Sequence, residues 1–123
     1  MKIGELADRA GVSVDTVRFY ERRGVLPRPE RTPSGYRTYT PTTVDRLRLA
    51  RRLQALGFTL DEVVDALAAH DEGTSTCESE RWRLDAVLER IEDRLDDLRR
   101  LRTEVRRARG ACERGCCVFT DSR

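Results

Sequence analysis

The sequence predicts a mainly α-helical chain: a winged helix-turn-helix head, then one long helix suited to pairing with a second copy as an antiparallel coiled coil. Three observations carry this reading. Apolar residues recur at helical spacing through most of the 123 residues. A segment broken by Pro27, Pro29, Pro33 and Gly35 and followed by the alternating run Tyr36-Arg37-Thr38-Tyr39 interrupts them. Finally, a stripe of apolar residues three and four apart runs through 79–108, a stretch too polar to bury it alone.

The elements follow in order. Ile3, Leu6, Ala7 and Ala10 share one helical face, Gly11-Val12 supplies a turn, and Ser13 is placed to cap a second helix that ends at Gly24. Two short helices around a glycine turn describe a helix-turn-helix, whose second helix would expose Asp15, Thr16, Arg18 and Glu21 or Arg22. The alternating run reads as a β wing on which Arg37 and a tyrosine can grip phosphates while one ring packs inward. Thr40 and Pro41 open a helix with Val44, Leu47, Leu49, Leu53 and Leu56 inward and Arg46, Arg48, Arg51 and Arg52 outward. After Gly57, Thr59 and Glu62 form a capping box for a helix with Val63, Val64, Leu67 and Ala68 as its core face. The expected organisation is a head at 1–70, with its second helix pair at about 43–69, a hinge loop at 71–78, a dimerisation helix at 79–109, and a loop and tail at 110–123. Gly110 and Gly115 would free that last segment to wrap a ligand.

Charge divides the chain. Residues 1–56 carry 12 basic against 6 acidic side chains, and residues 57–123 carry 12 against 16. A basic head favours a polyanion such as double-stranded DNA, whose phosphates reward each cation with counterion release. No apolar run approaches the roughly 18 residues of a membrane span, and the opening MKIGELADRAG has no signal-peptide core, so a cytosolic location with reduced thiols is expected. Nothing offers a nucleophile with an oriented base or paired carboxylates in an apolar pocket, so an enzyme is not expected.

All four cysteines flank the long helix: Cys77 before it, and Cys112, Cys116 and Cys117 beyond its end. A rise of about 1.5 Å per residue would hold Cys77 and Cys112 roughly 50 Å apart, too far for one ion or one disulfide. In an antiparallel homodimer, Cys77 of one chain falls beside Cys112 of the other, giving a thiolate pocket at each end. The seam supports such pairing through Leu84, Leu88, Ile91, Leu95, Leu98, Leu101, Val105 and Ala108, with Trp82 and Val87 flanking it to pack on the partner. His70, the sole histidine, reads as a solvated helix-end residue.

The strings Ile3-Gly4-Glu5-Leu6-Ala7, Ala10-Gly11-Val12-Ser13, Thr16-Val17-Arg18-Phe19-Tyr20-Glu21, Gly24-Val25-Leu26, Gly35-Tyr36-Arg37-Thr38-Tyr39 and Leu56-Gly57-Phe58-Thr59-Leu60-Asp61-Glu62 make the chain resemble the MerR family of bacterial transcriptional regulators over nearly its whole length. The resemblance implies that Thr16, Arg18, Tyr20, Tyr36, Arg37 and Tyr39 engage promoter DNA. It also implies an antiparallel homodimer that distorts the promoter when an effector binds, so that RNA polymerase can engage an overlong spacer. With only about eleven residues after Cys112, no drug-binding domain fits. In the family's metal sensors, cysteine rather than serine at the position of Cys77 goes with divalent ions. The expected ligands are Cys77, Cys112 and either Cys116 or Cys117, the fourth cysteine being a spare or second-site ligand. Three thiolates suit Hg(II), which is favoured, or Cd(II) or Pb(II), while Zn(II) would want a fourth donor. The family's usual loop between the second and third cysteines is longer than the three residues separating Cys112 from Cys116. The alternatives are a thiol or iron–sulfur redox sensor on the same frame and a metal-buffering protein; three clustered cysteines without a fourth disfavour the cluster.

Overall fold

The computed structural model describes every residue except 28, 116–118 and 120–123, and the backbone alone at Glu30. Its elements run α1 (Ile3–Ala10), α2 (Val14–Arg22), β1 (Glu30–Arg31), β2 (Arg37–Thr38), α3 (Pro41–Ala55), α4 (Leu60–Asp71) and α5 (Cys77–Glu113). The chain divides into two compact units, residues 1–80 and 81–123. Among the described residues, no helix is long and apolar enough to cross a membrane.

In the first unit, α1 packs on α2 and α3, and α3 packs on α4. Leu6, Val17, Val25, Leu47, Val63 and Leu67 are fully buried and set the core that these helices share. The helix-turn-helix forms because Gly11 takes the left-handed conformation, φ 71°, at the end of α1. Ser13 then caps α2 by accepting the Thr16 N–H at 3.1 Å. The β wing is minimal: Glu30 pairs with Thr38 and Arg31 with Arg37, antiparallel. Its tip is closed by Thr32 N–H to Tyr36 O, 2.7 Å, and Gly35 N–H to Thr32 O, 2.8 Å, with Gly35 at φ 88°. Thr59 and Glu62 cap α4 reciprocally, at 3.2 and 2.8 Å, as their spacing predicts.

Three elements depart from the sequence reading. Thr40 occupies the cap position of α3, but its side chain caps no backbone N–H; its hydroxyl lies 3.4 Å from that of Thr43. Arg46 is not on the outer face: its side chain is 19% exposed and its guanidinium is bonded on two sides. The long helix is also longer than expected. Thr76 and Ser79 start it, each backbone N–H donating to the other's hydroxyl at 2.9 and 3.0 Å, and Ser75 Oγ donates to Glu80 at 3.0 Å. These bonds tie the first turn of α5 to the preceding loop. At the far end Gly110 stays helical, with Arg114 N–H on its carbonyl at 3.2 Å, and the chain turns only at Gly115, φ 81°. A mid-helix glycine costs about 1 kcal/mol against alanine, which a helix of 37 residues absorbs.

In α5, Val87 is buried within the single chain, while Leu84, Leu88, Ile91, Leu95, Leu98, Leu101 and Val105 are 42–60% exposed and Trp82 is 56% exposed. Val87, which its position offered to a partner, is thus covered in the single chain, whereas the seam residues are not.

Gly110→Ala should raise stability by up to about 1 kcal/mol and strengthen the helical circular dichroism signal. The new Cβ would meet Arg114 Nη1 at 3.3 Å, the movable end of a long side chain. A loss of helical signal would place residue 110 outside the helix.

Candidate nucleic-acid interface and metal-binding thiols

Helix α2 and the wing enclose a basic concavity of about 570 Å3 lined by Glu21, Arg22, Pro29, Arg31 and Arg37. A second, of about 330 Å3, is lined by Ile3, Arg18, Glu21, Arg22 and Arg37, sharing three of those residues. Arg31 and Arg37 face each other across the two-stranded ladder. Like charges directly opposite are destabilising unless an anion lies between or beside them. On the protein side that anion is Glu21, whose Oε2 accepts from Arg37 Nη1 at 3.0 Å. A nucleic-acid phosphate is the natural anion from outside.

The residues expected at the interface separate into two groups. Arg18 and Arg37 are exposed on the basic face, and Tyr36 is 67% exposed at the wing, with Lys2 Nζ 5.9 Å from its ring centroid. Thr16 is half-buried, its hydroxyl 2.9 Å from that of Ser13. Tyr20 and Tyr39, by contrast, are 3% and 4% exposed and belong to the core. The Tyr20 hydroxyl donates to Gln54 on α3, and the Tyr39 hydroxyl donates to Glu21 Oε1. A buried phenol needs an acceptor, and each finds one inside the head, so in this chain both rings support the face from within rather than meeting phosphates as expected. Burial raises the Tyr20 pKa above its ordinary 10, slightly opposed by Arg51. Burial, then the hydrogen bond from the phenol to Glu21 and that carboxylate's charge, push Tyr39 up to about 12, against a smaller opposite effect of Arg37.

The backbone of Tyr39 also exchanges two hydrogen bonds of 2.8 Å with Met1, so the end of the wing is fixed to the start of the chain as well as to α2. Sequence reasoning placed Glu21 among the residues offered to DNA, as an alternative to Arg22. The structure exposes Arg22 and turns Glu21 inward, its side chain only 12% exposed. It did not single out Arg31, because a two-residue strand is too short to show alternation. Nor did it find Arg46, whose Nε donates to Val25 O at 2.9 Å and whose Nη1 donates to Asp71 at 2.6 Å. That guanidinium joins α3 to the segment after α2 and to the end of α4.

Cys77 is the first residue of α5 and Cys112 its penultimate one, both exposed, about ten helical turns apart. Cys116 and Cys117 lie outside the described residues. Among those described, no three His, Cys, Asp or Glu side chains converge as a metal site within the chain. Thiols suit a soft ion, and at opposite ends of one helix they can share it only across two chains.

A helix-turn-helix with a wing, arranged about an arginine-lined groove, defines a winged nucleic-acid-binding protein. Residues 1–70 match the family described as MerR HTH family regulatory protein and residues 44–108 the family described as MerR, DNA binding. The chain belongs to the MerR family of transcriptional regulators, which are not enzymes. It is 46% identical over 103 residues, 81% of this chain and 76% of the relative, to the mercuric resistance operon regulatory protein of Bacillus cereus. Among solved structures it is similar to the transcription regulator PbrR691 from Ralstonia metallidurans CH34 in complex with lead(II), with TM-score 0.84 and 35% identity over 90% of this chain and 87% of that one. It is also similar to the dual-function regulator MerR from Bacillus megaterium MB1 in complex with mercury(II), with TM-score 0.66 and 37% identity over 89% of this chain and 85% of that one.

The Tyr39 environment sets an alkaline limit on the head. Below pH 10 folded and unfolded chains both keep this proton; between 10 and about 12 the unfolded chain loses it first, so stability falls as pH rises through that window. The urea midpoint of the wild-type chain should therefore drop more steeply across this range than that of Tyr39→Phe. Parallel curves would show that Tyr39 ionises with equal ease in both states.

Proposed function

We propose that this chain is a homodimeric, metal-responsive regulator of transcription whose heads hold promoter DNA and whose end thiols capture a divalent thiophilic ion across two chains. The observation that carries it is the pairing on one rod of Cys77 and Cys112 at opposite ends with an exposed apolar seam between them. Antiparallel association buries that seam and brings each Cys77 to the other chain's Cys112, with Cys116 or Cys117 completing the ligand set. Residues 1–71 form the DNA-binding head, 77–113 the dimerisation helix, and the segment from 110 onward carries the remaining thiols. Arg18, Arg37 and Tyr36, with Thr16, are the DNA-facing residues, and the protein works in the cytosol, where its thiols stay reduced.

Hg(II) is the favoured effector. The B. cereus relative is named for mercuric resistance, and the B. megaterium structure holds mercury(II). The PbrR691 structure holds lead(II), which keeps Pb(II) as a candidate, and the affinity of thiolates for soft and borderline ions keeps Cd(II) and Zn(II) beside it. An ion that binds one arrangement of the two heads better than another shifts the population toward it by its difference in affinity, and promoter geometry follows for RNA polymerase to read. A near-complete switch needs a difference of about 5.5 kcal/mol, within reach of thiolate–metal bonds.

The test titrates the reduced full chain with Hg(II), Cd(II), Pb(II), Zn(II) and Cu(I), following binding and transcription from a promoter containing the tightest duplex selected from a randomised pool. Cys77→Ser should abolish the response to divalent ions while leaving affinity for that duplex within about twofold. Full induction of that variant would remove Cys77 from the site. Arg18→Ala should weaken duplex binding with metal binding intact, the loss of one cation lowering the slope of log affinity on log salt by about 1. A protein that stays monomeric in scattering at working concentration would end the shared-ion reading.

A further inference from the structure

Glu21 stands in the wrong electrostatic place for its charge. It lines both concavities, whose other charged lining residues among those described are Arg18, Arg22, Arg31 and Arg37, and there it subtracts from the field that draws a polyanion. It is also spent entirely on the wing: one carboxylate oxygen accepts from Arg37, the other from Tyr39. The wing has two ladder pairs, and a hairpin that short has no stable position of its own. Where it sits is decided by what holds it.

We infer that Glu21 is a positioning residue that clamps the wing to α2 and fixes the plane of Arg37, so that the wing's phosphate contact lies at a set distance from the bases read by α2. This rests on the reading of α2 and the wing as the DNA face. A guanidinium has five N–H donors in a planar fork, so a bond to Glu21 orients it while its exposed edge, on a side chain 46% exposed, reaches outward. Phosphate contacts fix register and base contacts specify. A wing loosened from α2 still attracts phosphates but at no fixed register, so Glu21 contributes to discrimination between sequences at a cost in general affinity.

The experiment measures affinity for the selected duplex and for a shuffled duplex of equal composition, across a salt series, for the wild-type chain, Glu21→Gln, Arg37→Ala and the double variant. Glu21→Gln should keep or raise affinity for the shuffled duplex and lower the selected-to-shuffled ratio about tenfold. In the Arg37→Ala background the same change should move the ratio less than twofold, because Glu21 acts through Arg37. A rise of both affinities with an unchanged ratio would make Glu21 a field-weakening acid and overturn the inference. So would a lowered melting temperature with the ratio kept, or an equal fall of the ratio in both backgrounds. A wild-type chain that does not discriminate between the duplexes would sink the DNA reading itself, a result visible before any variant is measured.

Discussion

A rod of about ten helical turns stands between Cys77 and Cys112, and no side-chain rotation can bring the two to one ion. This constraint orders the rest. On the proposed reading it makes each exposed thiol half of a site shared between two chains, with the exposed seam between them as the surface that pairs. In that proposal one interface would bury apolar surface and assemble the ligand set, so a chain that fails to pair would lose both together.

Within the first unit the ordering principle is polar. The apolar core of the first unit holds α1 through α4, but the segments that face outward are placed by a few charged hydrogen bonds. Glu21 joins α2 to the wing, and Arg46 joins α3 to the turn after α2 and to the last residue of α4. Each of these groups is largely withdrawn from solvent, where a charge is retained only when its partners are supplied. A surface of arginines thus rests on a small set of internal ion pairs that fix its geometry.

Much of this could be read from the sequence, because the signals were local. Ser13, Gly11, Thr59 with Glu62, and Gly35 act on their own neighbours in the chain, and the structure has each in the role its type and spacing predict. The seam residues of α5 were legible from periodicity alone. What escaped depended on partners far away in sequence. One inward wing ring was expected, but that it is Tyr39, and that Tyr20 is buried too, depends on Glu21 and Gln54 receiving their hydroxyls, 18 and 34 residues away. Arg46 looked solvated because its acceptors are 21 and 25 residues distant. Gly110 misled for the opposite reason: its local preference for a break was real but small beside the cooperative continuation of a long helix.

The continuation of α5 through Gly110 bears on the thermodynamics of the proposed ion capture. Cys77 sits in a turn fixed by the mutual bonds of Thr76 and Ser79, and Cys112 sits in the final turn before Gly115 redirects the chain. Fixing a residue's backbone costs about 1–2 kcal/mol of conformational entropy, and folding has already met that cost for both of these donors. For an ion captured as proposed, preorganisation of this kind would leave more of the thiolate–ion attraction to appear as affinity.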